Sequence, residues 1–379
     1  MFVFLILFSS VLFDAEFIKT LLDCDEAAWQ RLGDETIPPE QDVETFAELA
    51  DKLTRFVPRS FLKEHVTDIQ PPNRGEVLYL EGRIVLSEKY EGKIPAYLCK
   101  IILGDVTEAV IFTPSVPQGW KQNDRIAAFG VYIKSYNNTP VFVSPAIQWF
   151  PDTWLGNLGF DVGSLDQVPV SRVIDEEVKQ NDDETNRRLF KFTESDSEPF
   201  YGLLQAISAT PDGWLEEEAK KHHAETPFTV TDLFNRPHET RGKPVLLSGT
   251  AKRIVPTPVT DNEVLSLFGI DHYYQIYLFT EQSRGNPIVV CVHSLPKGIP
   301  AGNTNDFAEQ ITVAAIPYKL WVYETPTGPH YAPVLVGRSP TWHPKLAGSR
   351  PIPESATTFS FTLFFALILI WFGCRYWRF

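Results

Sequence analysis

SVPQGW, residues 115–120, and SLPKGI, residues 294–299, share a Ser-x-Pro-x-Gly skeleton 179 residues apart. Each has too few glycines to cradle a phosphate, and its proline withholds one amide, so each reads as a tight turn closing a strand. The pair gains meaning from the matches around it. LFD at Leu12–Asp14 answers GFD at Gly159–Asp161, and ETFAEL at Glu44–Leu49 answers EPFYGL at Glu198–Leu203. VTDI at Val66–Ile69 answers VTDL at Val230–Leu233, Arg74-Gly75 answers Arg241-Gly242, and LEG at Leu80–Gly82 answers LSG at Leu247–Gly249. Downstream, PVFV at Pro140–Val143 answers PVLV at Pro333–Val336, each followed by Trp-x-Pro, at Trp149–Pro151 and Trp342–Pro344. The offset grows from 147 to 193 residues along the chain and never falls, as loop insertions in a second copy would produce. Two units are therefore expected, over about 13–151 and 160–344.

The first unit contains five β-rich runs, Val77–Glu88, Ala96–Gly104, Glu108–Pro114, Arg125–Tyr136 and Pro140–Phe150, separated by turn-forming residues. The second repeats the set at Pro244–Val255, His272–Thr280, Asn286–Pro296, Glu309–Glu324 and Ala332–Arg338. Its extra length falls in loops, at about 256–271 and 301–307. Five short strands with a glycine in the first suit a strongly bent small barrel. The arrangement resembles the OB fold, with an SH3-like barrel as the alternative, because the ten residues SVPQGWKQND leave no room for the helix that many OB domains carry between strands 3 and 4. Before each barrel comes an amphipathic helix. Phe46, Leu49, Leu53 and Phe56 form one apolar stripe, and Phe200, Leu203, Leu204 and Ile207 form the other.

The expected fold class is mainly β with helical segments (α+β): two tandem OB-like five-stranded β-barrels, each preceded by a short helical preface, plus a C-terminal transmembrane helix. The expected layout is an N-terminal anchor or signal peptide (1–13), a first preface (14–76), a first barrel (77–151), an acidic linker (152–197), a second preface (198–243), a second barrel (244–344), a short linker (345–355), the membrane helix (356–374) and a tail (375–379). The linker assignment rests on 12 acids against 5 bases between Asp152 and Glu198. The membrane helix rests on 20 uncharged residues between Glu354 and Arg375, enough to span the hydrocarbon of a bilayer, with Trp371, Tyr376 and Trp377 suited to the headgroup belt. Arg375 and Arg378 favour a cytoplasmic tail, which places the bulk of the chain outside the cytoplasm. As a whole, the chain resembles uncharacterised, membrane-anchored bacterial proteins with tandem OB-like modules, a resemblance that brings no activity with it.

A formal charge of −14 argues against nucleic acid, whose backbone is gripped mainly by Lys and Arg. The four cysteines, Cys24, Cys99, Cys291 and Cys374, form no CxxC, and the eight histidines form no HExxH, so no metal or cofactor is expected. No GxSxG, P-loop or GxGxxG occurs. The remaining candidate ligand residues are aromatic, since OB barrels hold ligands on rings near strands 2 and 3. They are Tyr97 and Trp120 in the first unit and Tyr273, Tyr274, Tyr277 and His293 in the second. The function that follows is non-enzymatic binding or assembly at a membrane, with a protein or neutral ligand as partner. The rivals are an enzyme with its site in the inserted loops of the second unit, and single-stranded nucleic-acid binding by the barrel faces.

Overall fold

The computed structural model describes residues 15–54, 73–104, 107–169, 194–302, 307–325 and 328–344. The protein is mainly β with some helices, and its strands form two six-stranded sheets in tandem. The first sheet contains β1 (Val77–Tyr90), β2 (Ala96–Leu103), β3 (Thr107–Thr113), β4 (Arg125–Tyr136), β5 (Thr139–Val143) and β6 (Ile147–Phe150). The second contains β7 (Val245–Pro258), β8 (His272–Phe279), β9 (Ile288–Val292), β10 (Glu309–Thr325), β11 (Gly328–Gly337) and β12 (Thr341–His343). Helices α1 (Ala15–Leu22), α2 (Glu26–Leu32) and α3 (Val43–Leu53) precede the first sheet. Between the sheets come α4 (Trp154–Asn157), α5 (Glu194–Ser208), α6 (Trp214–Glu225), α7 (Val230–Asn235) and α8 (Pro237–Thr240), and α9 (Asn262–Phe268) lies between β7 and β8.

In the first sheet the pairing runs β1-β2-β3-β5-β4-β6, with β1 also paired to β4. In the second, β7 pairs with both β8 and β10, β8 with β9, β9 with β11, and β11 with β10. The registers repeat as well as the order. The parallel rungs Val110↔Val141, Ile111↔Phe142 and Phe112↔Val143 reappear as Val289↔Val334, Val290↔Leu335 and Cys291↔Val336. A bulge falls between Ile84 and Leu86 in β1 and between Ala251 and Arg253 in β7. A second falls between Tyr132 and Lys134 in β4 and between Pro317 and Lys319 in β10. Bulges re-aim a strand at a set place, so their recurrence ties the two sheets to one plan.

Two corrections to the expected strands follow. The run Pro140–Phe150 is two strands instead of one. Ser144 donates its amide to the Phe112 carbonyl (2.8 Å) and its hydroxyl to the Ala146 carbonyl (2.7 Å), and Pro145 has no amide for a ladder. The second unit likewise ends in an added strand around Trp342, so each sheet has six strands where five were expected.

Each sheet has an inner core and an outer one. In the first unit, Leu80, Ile84, Cys99, Ile111 and Phe142 fill the inner side. Leu98, Phe112, Val131 and Val143 face outward onto Ile18, Trp29, Phe46, Leu49 and Leu53 of α1–α3. The second unit repeats this, with Leu247, Ile276, Val290 and Leu335 inside. Outside it, Cys291, Tyr318 and Val336 meet Phe200, Leu203, Leu204 and Ile207 of α5. Both amphipathic stripes thus pack on their own sheet, Phe56 alone lying outside the described residues.

The segment expected to open an acidic linker is folded from Trp154 to Gln167, as α4 and a 3-10 turn at Val162–Gln167. Its Leu155, Phe160, Leu165 and Val168 are buried in the outer core of the second unit. It also reaches the first sheet, where Asp161 accepts the Trp149 amide at 2.8 Å and Asp166 accepts the Gln118 amide at 2.9 Å. No helix among the described residues is long and apolar enough to cross a membrane. The expected spans at 1–13 and 356–374 lie outside the described residues.

Candidate functional site

Among the described residues, several of the repeated fragments hold the same contact in both units. Gly82 and Gly249 are places where another backbone comes too close for a side chain: a Cβ at either would fall 2.4 Å from a carbonyl oxygen, of Ile102 in one unit and Phe279 in the other. In the Ser-x-Pro-x-Gly turns, Gly119 and Gly298 take φ of 81° and 89°, the left-handed region. Trp149 packs over the first of these turns and Trp342 over the second. The two indoles donate to Asp124 and Glu309, both at 2.8 Å. In the Arg-Gly pairs, the Gly75 amide donates to the Tyr132 carbonyl (2.8 Å) and the Gly242 amide to the Pro317 carbonyl (3.0 Å). Arg74 reaches back to the Trp29 carbonyl at 3.0 Å, and Arg241 reaches back to the carbonyls of Leu165 and Val168. Burial lowers the Arg241 guanidinium pKa to about 10.

A further repeat had no sequence signal. Lys134 on β4 points into the outer core and meets Asp42, the residue before α3, at 3.1 Å. Lys319 on β10 meets Asp196 of α5 at 2.8 Å. All four side chains are buried. Each lysine follows the bulge in its strand, which turns a residue that strict alternation would place on the inner side outward to the preceding helix. Burial lowers the Lys319 pKa, opposed by its hydrogen bond to Asp196.

The six aromatic and histidine candidates do not form one surface. Tyr97 and Trp120 border the inner core of the first unit beside Val116, Tyr132 and Trp149. Tyr274 holds the matching place in the second, near Leu295, Ile299 and Trp342. Tyr273 and Tyr277 point the opposite way, because residues alternate along a strand. Tyr273 is only 9 % exposed, with its ring 5.4 Å from Phe200 and 6.3 Å from Tyr201 of α5. Burial raises the hydroxyl pKa of both Tyr273 and Tyr277. Tyr277 also lies beneath the Arg253 guanidinium, 5.0 Å from its ring centre. His293 follows β9, and its Nδ1 is buried without a hydrogen-bond partner among the described residues.

A concave site lies elsewhere. A groove of about 870 Å³ opens between α6, the start of α7, the first half of β7 and the end of β8. Its walls mix Leu246, Phe228 and Phe279 with Ser248, Thr250 and Gln310. Gln310 donates to Thr250 at 2.7 Å, and Gln282 accepts the Val230 amide at 3.2 Å, so both rims are held in place. Lys220, His222, His223 and Glu281 stand around the opening. Burial lowers the His222 pKa, with the Lys243 charge acting in the same direction. Such a mixture of apolar wall and anchored polar groups suits the capture of a ligand. Among the described residues, no group of three or more His, Cys, Asp and Glu is placed to hold a metal ion. The sequence reading missed this groove because its residues come from five separate segments; the only local hint was Lys220-Lys221-His222-His223 on one helix. Compared with known proteins, the chain matches no family model and no curated sequence.

Proposed function

We propose that this is a membrane-tethered, non-enzymatic binding or assembly protein that presents two OB-like barrels outside the cytoplasm and leaves its C-terminal tail inside. The observation that carries the reading is the pairing order β1-β2-β3-β5-β4 with return to β1, repeated from β7 to β11 in the second unit. Five strands closed in that Greek-key order are the plan of the OB barrel, which serves widely as a scaffold for binding surfaces. Function must still be argued from a site, and the groove beside β7 supplies one in the second unit. The apolar segment at 356–374 supplies the tether. With an overall charge of −14, a protein or a neutral ligand suits the scaffold better than nucleic acid.

The insertion between β7 and β8 gives little support to the enzyme alternative, since its helix α9 buries Val264 and Phe268 against α5 and serves packing. Two measurements test the proposal. Protease added to intact spheroplasts is expected to degrade the middle of the chain while a tag at the C-terminus stays protected; a protected middle overturns the topology. Protein purified in detergent from its native membrane is expected to bring down one partner in fixed proportion, and turnover of a metabolite by the same preparation would overturn the non-enzymatic reading.

A further inference from the structure

Strand β7 is double-sided over only part of its length. Val245–Ala251 pair with β10, whereas the rungs to β8 begin at Thr250. From Val245 to Gly249, the side facing away from β10 has no ladder partner among the described residues. An antiparallel strand turns its N–H and C=O groups alternately to its two sides, so this stretch offers backbone donors and acceptors to whatever lies there. What lies there is the groove. Its lining includes every residue from Pro244 to Thr250. A groove over one face of a strand would be lined by every second residue; one lined by a continuous run meets the strand along its edge.

The surroundings define what fits. The open edge spans five residues, about 17 Å of extended chain. In an acidic protein, the groove and its margins carry Lys220, Lys243 and Lys252 along with His222 and His223. Lys252 lies over Phe279 of the groove wall, 4.7 Å from the ring centre, and Lys243 adjoins the groove at Pro244. The nearby acids are Glu281 and Glu225, together with Asp232 and Glu239, which line the adjoining recess with Lys243 and are both paired to Arg236. Phe228, Phe279 and Leu246 give apolar contacts between these charges.

We infer that the edge Val245–Gly249 takes up an extended, acidic segment of a partner protein as an added strand, with its carboxylates toward Lys220 and Lys243. Main-chain pairing supplies affinity in such complexes, and side-chain pockets supply selectivity. The inference rests on the binding reading above and names the partner's chemistry.

The probe is a fluorescent alternating glutamate–valine hexapeptide titrated onto the full chain in detergent, with hydrogen exchange of the protein read in parallel. Saturable binding is expected, with slowed exchange at Val245–Gly249. A version N-methylated on alternate amides, which cannot pair along one edge, should lose binding, and a lysine–valine version should bind at least about tenfold more weakly. Lys220→Glu with Lys243→Glu, both outside the cores, should weaken the acidic peptide by about tenfold while leaving the thermal transition in place. Equal binding of the N-methylated peptide, protection at another strand, no binding at millimolar peptide, or protection of the same amides by self-association would each overturn the inference. If a native partner still co-purifies with the charge-reversed protein after the peptide has failed, the groove assignment falls and the binding reading stands.

Discussion

The first unit keeps β4 and β5 to 12 and 5 residues, whereas their counterparts β10 and β11 run to 17 and 10, and the second unit inserts α9 between its first two strands. Behind these differences the rungs, bulges, glycines, indole–carboxylate bonds and lysine–aspartate pairs coincide. Length has changed in the connection between the first two strands and at the hairpin end of the last long pair, and positions have been held where a single atom has nowhere else to go. A repeated contact is thus a better guide to descent than a repeated length.

The largest expected effect tests the buried pairs. Replacing either Lys134 or Lys319 by Met leaves an aspartate without its buried cation and should cost about 3–5 kcal/mol in denaturant unfolding. Adding Asp42→Leu or Asp196→Leu to the matching lysine change should recover most of that loss, because a well-packed apolar pair avoids the cost of burying charge. A large penalty at one lysine and none at the other would break the equivalence of the units.

Next come the glycines. Gly82→Ala and Gly249→Ala each force a methyl group against a carbonyl oxygen and should cost about 1–3 kcal/mol, in matching amounts, measured by thermal unfolding. Smaller again, Trp149→Phe and Trp342→Phe remove an indole hydrogen bond to a carboxylate and should lower stability by about 1–2 kcal/mol each. Unequal losses would show that the two turns are sealed differently.

The smallest effect concerns pH. Burial pushes the Asp232 carboxyl up, but hydrogen bonds from the Thr229 amide, the Arg236 guanidinium and the Thr229 hydroxyl outweigh it and hold the pKa below the ordinary aspartate value. A carboxyl depressed in the folded state contributes stability that is present above its unfolded pKa and lost as pH falls through the folded one. Asp232→Asn should therefore flatten the acid limb of the stability profile by less than about 1 kcal/mol. An unchanged acid limb would remove this cap from the account of the second unit.

Much of this architecture was legible in the residues. Alternation and turn formers placed the strands, and the stripe Phe200, Leu203, Leu204 and Ile207 placed its helix against the sheet. The lysine–aspartate pairs were not legible, since a lysine between Ile133 and Ser135 carries no local mark of a buried partner and that partner lies 92 residues away. The acid count hid Leu155, Phe160 and Leu165, because net charge says little about the few apolar residues that decide where a segment docks. Helix α9 was expected as loop within 256–271, although Asp261, which accepts the Glu263 and Val264 amides at its start, and Gly269, left-handed at its end, are residue types that bound a helix. Proximity in sequence groups the aromatic candidates of the second unit, whereas the two-residue period of a strand separates Tyr274 from Tyr273 and Tyr277.

The buried lysine in each sheet also decides how the chain can be cut. A fragment that began at Val77 would keep Lys134 in an apolar wall and discard its counter-ion, so the helices upstream are as indispensable to autonomous folding as any strand. With Leu155 and Phe160 committed to the later core and Asp161 and Asp166 bonded to the first sheet, a cut at Pro151, Asp152 or Thr153 would take from the first unit partners that its own strands use.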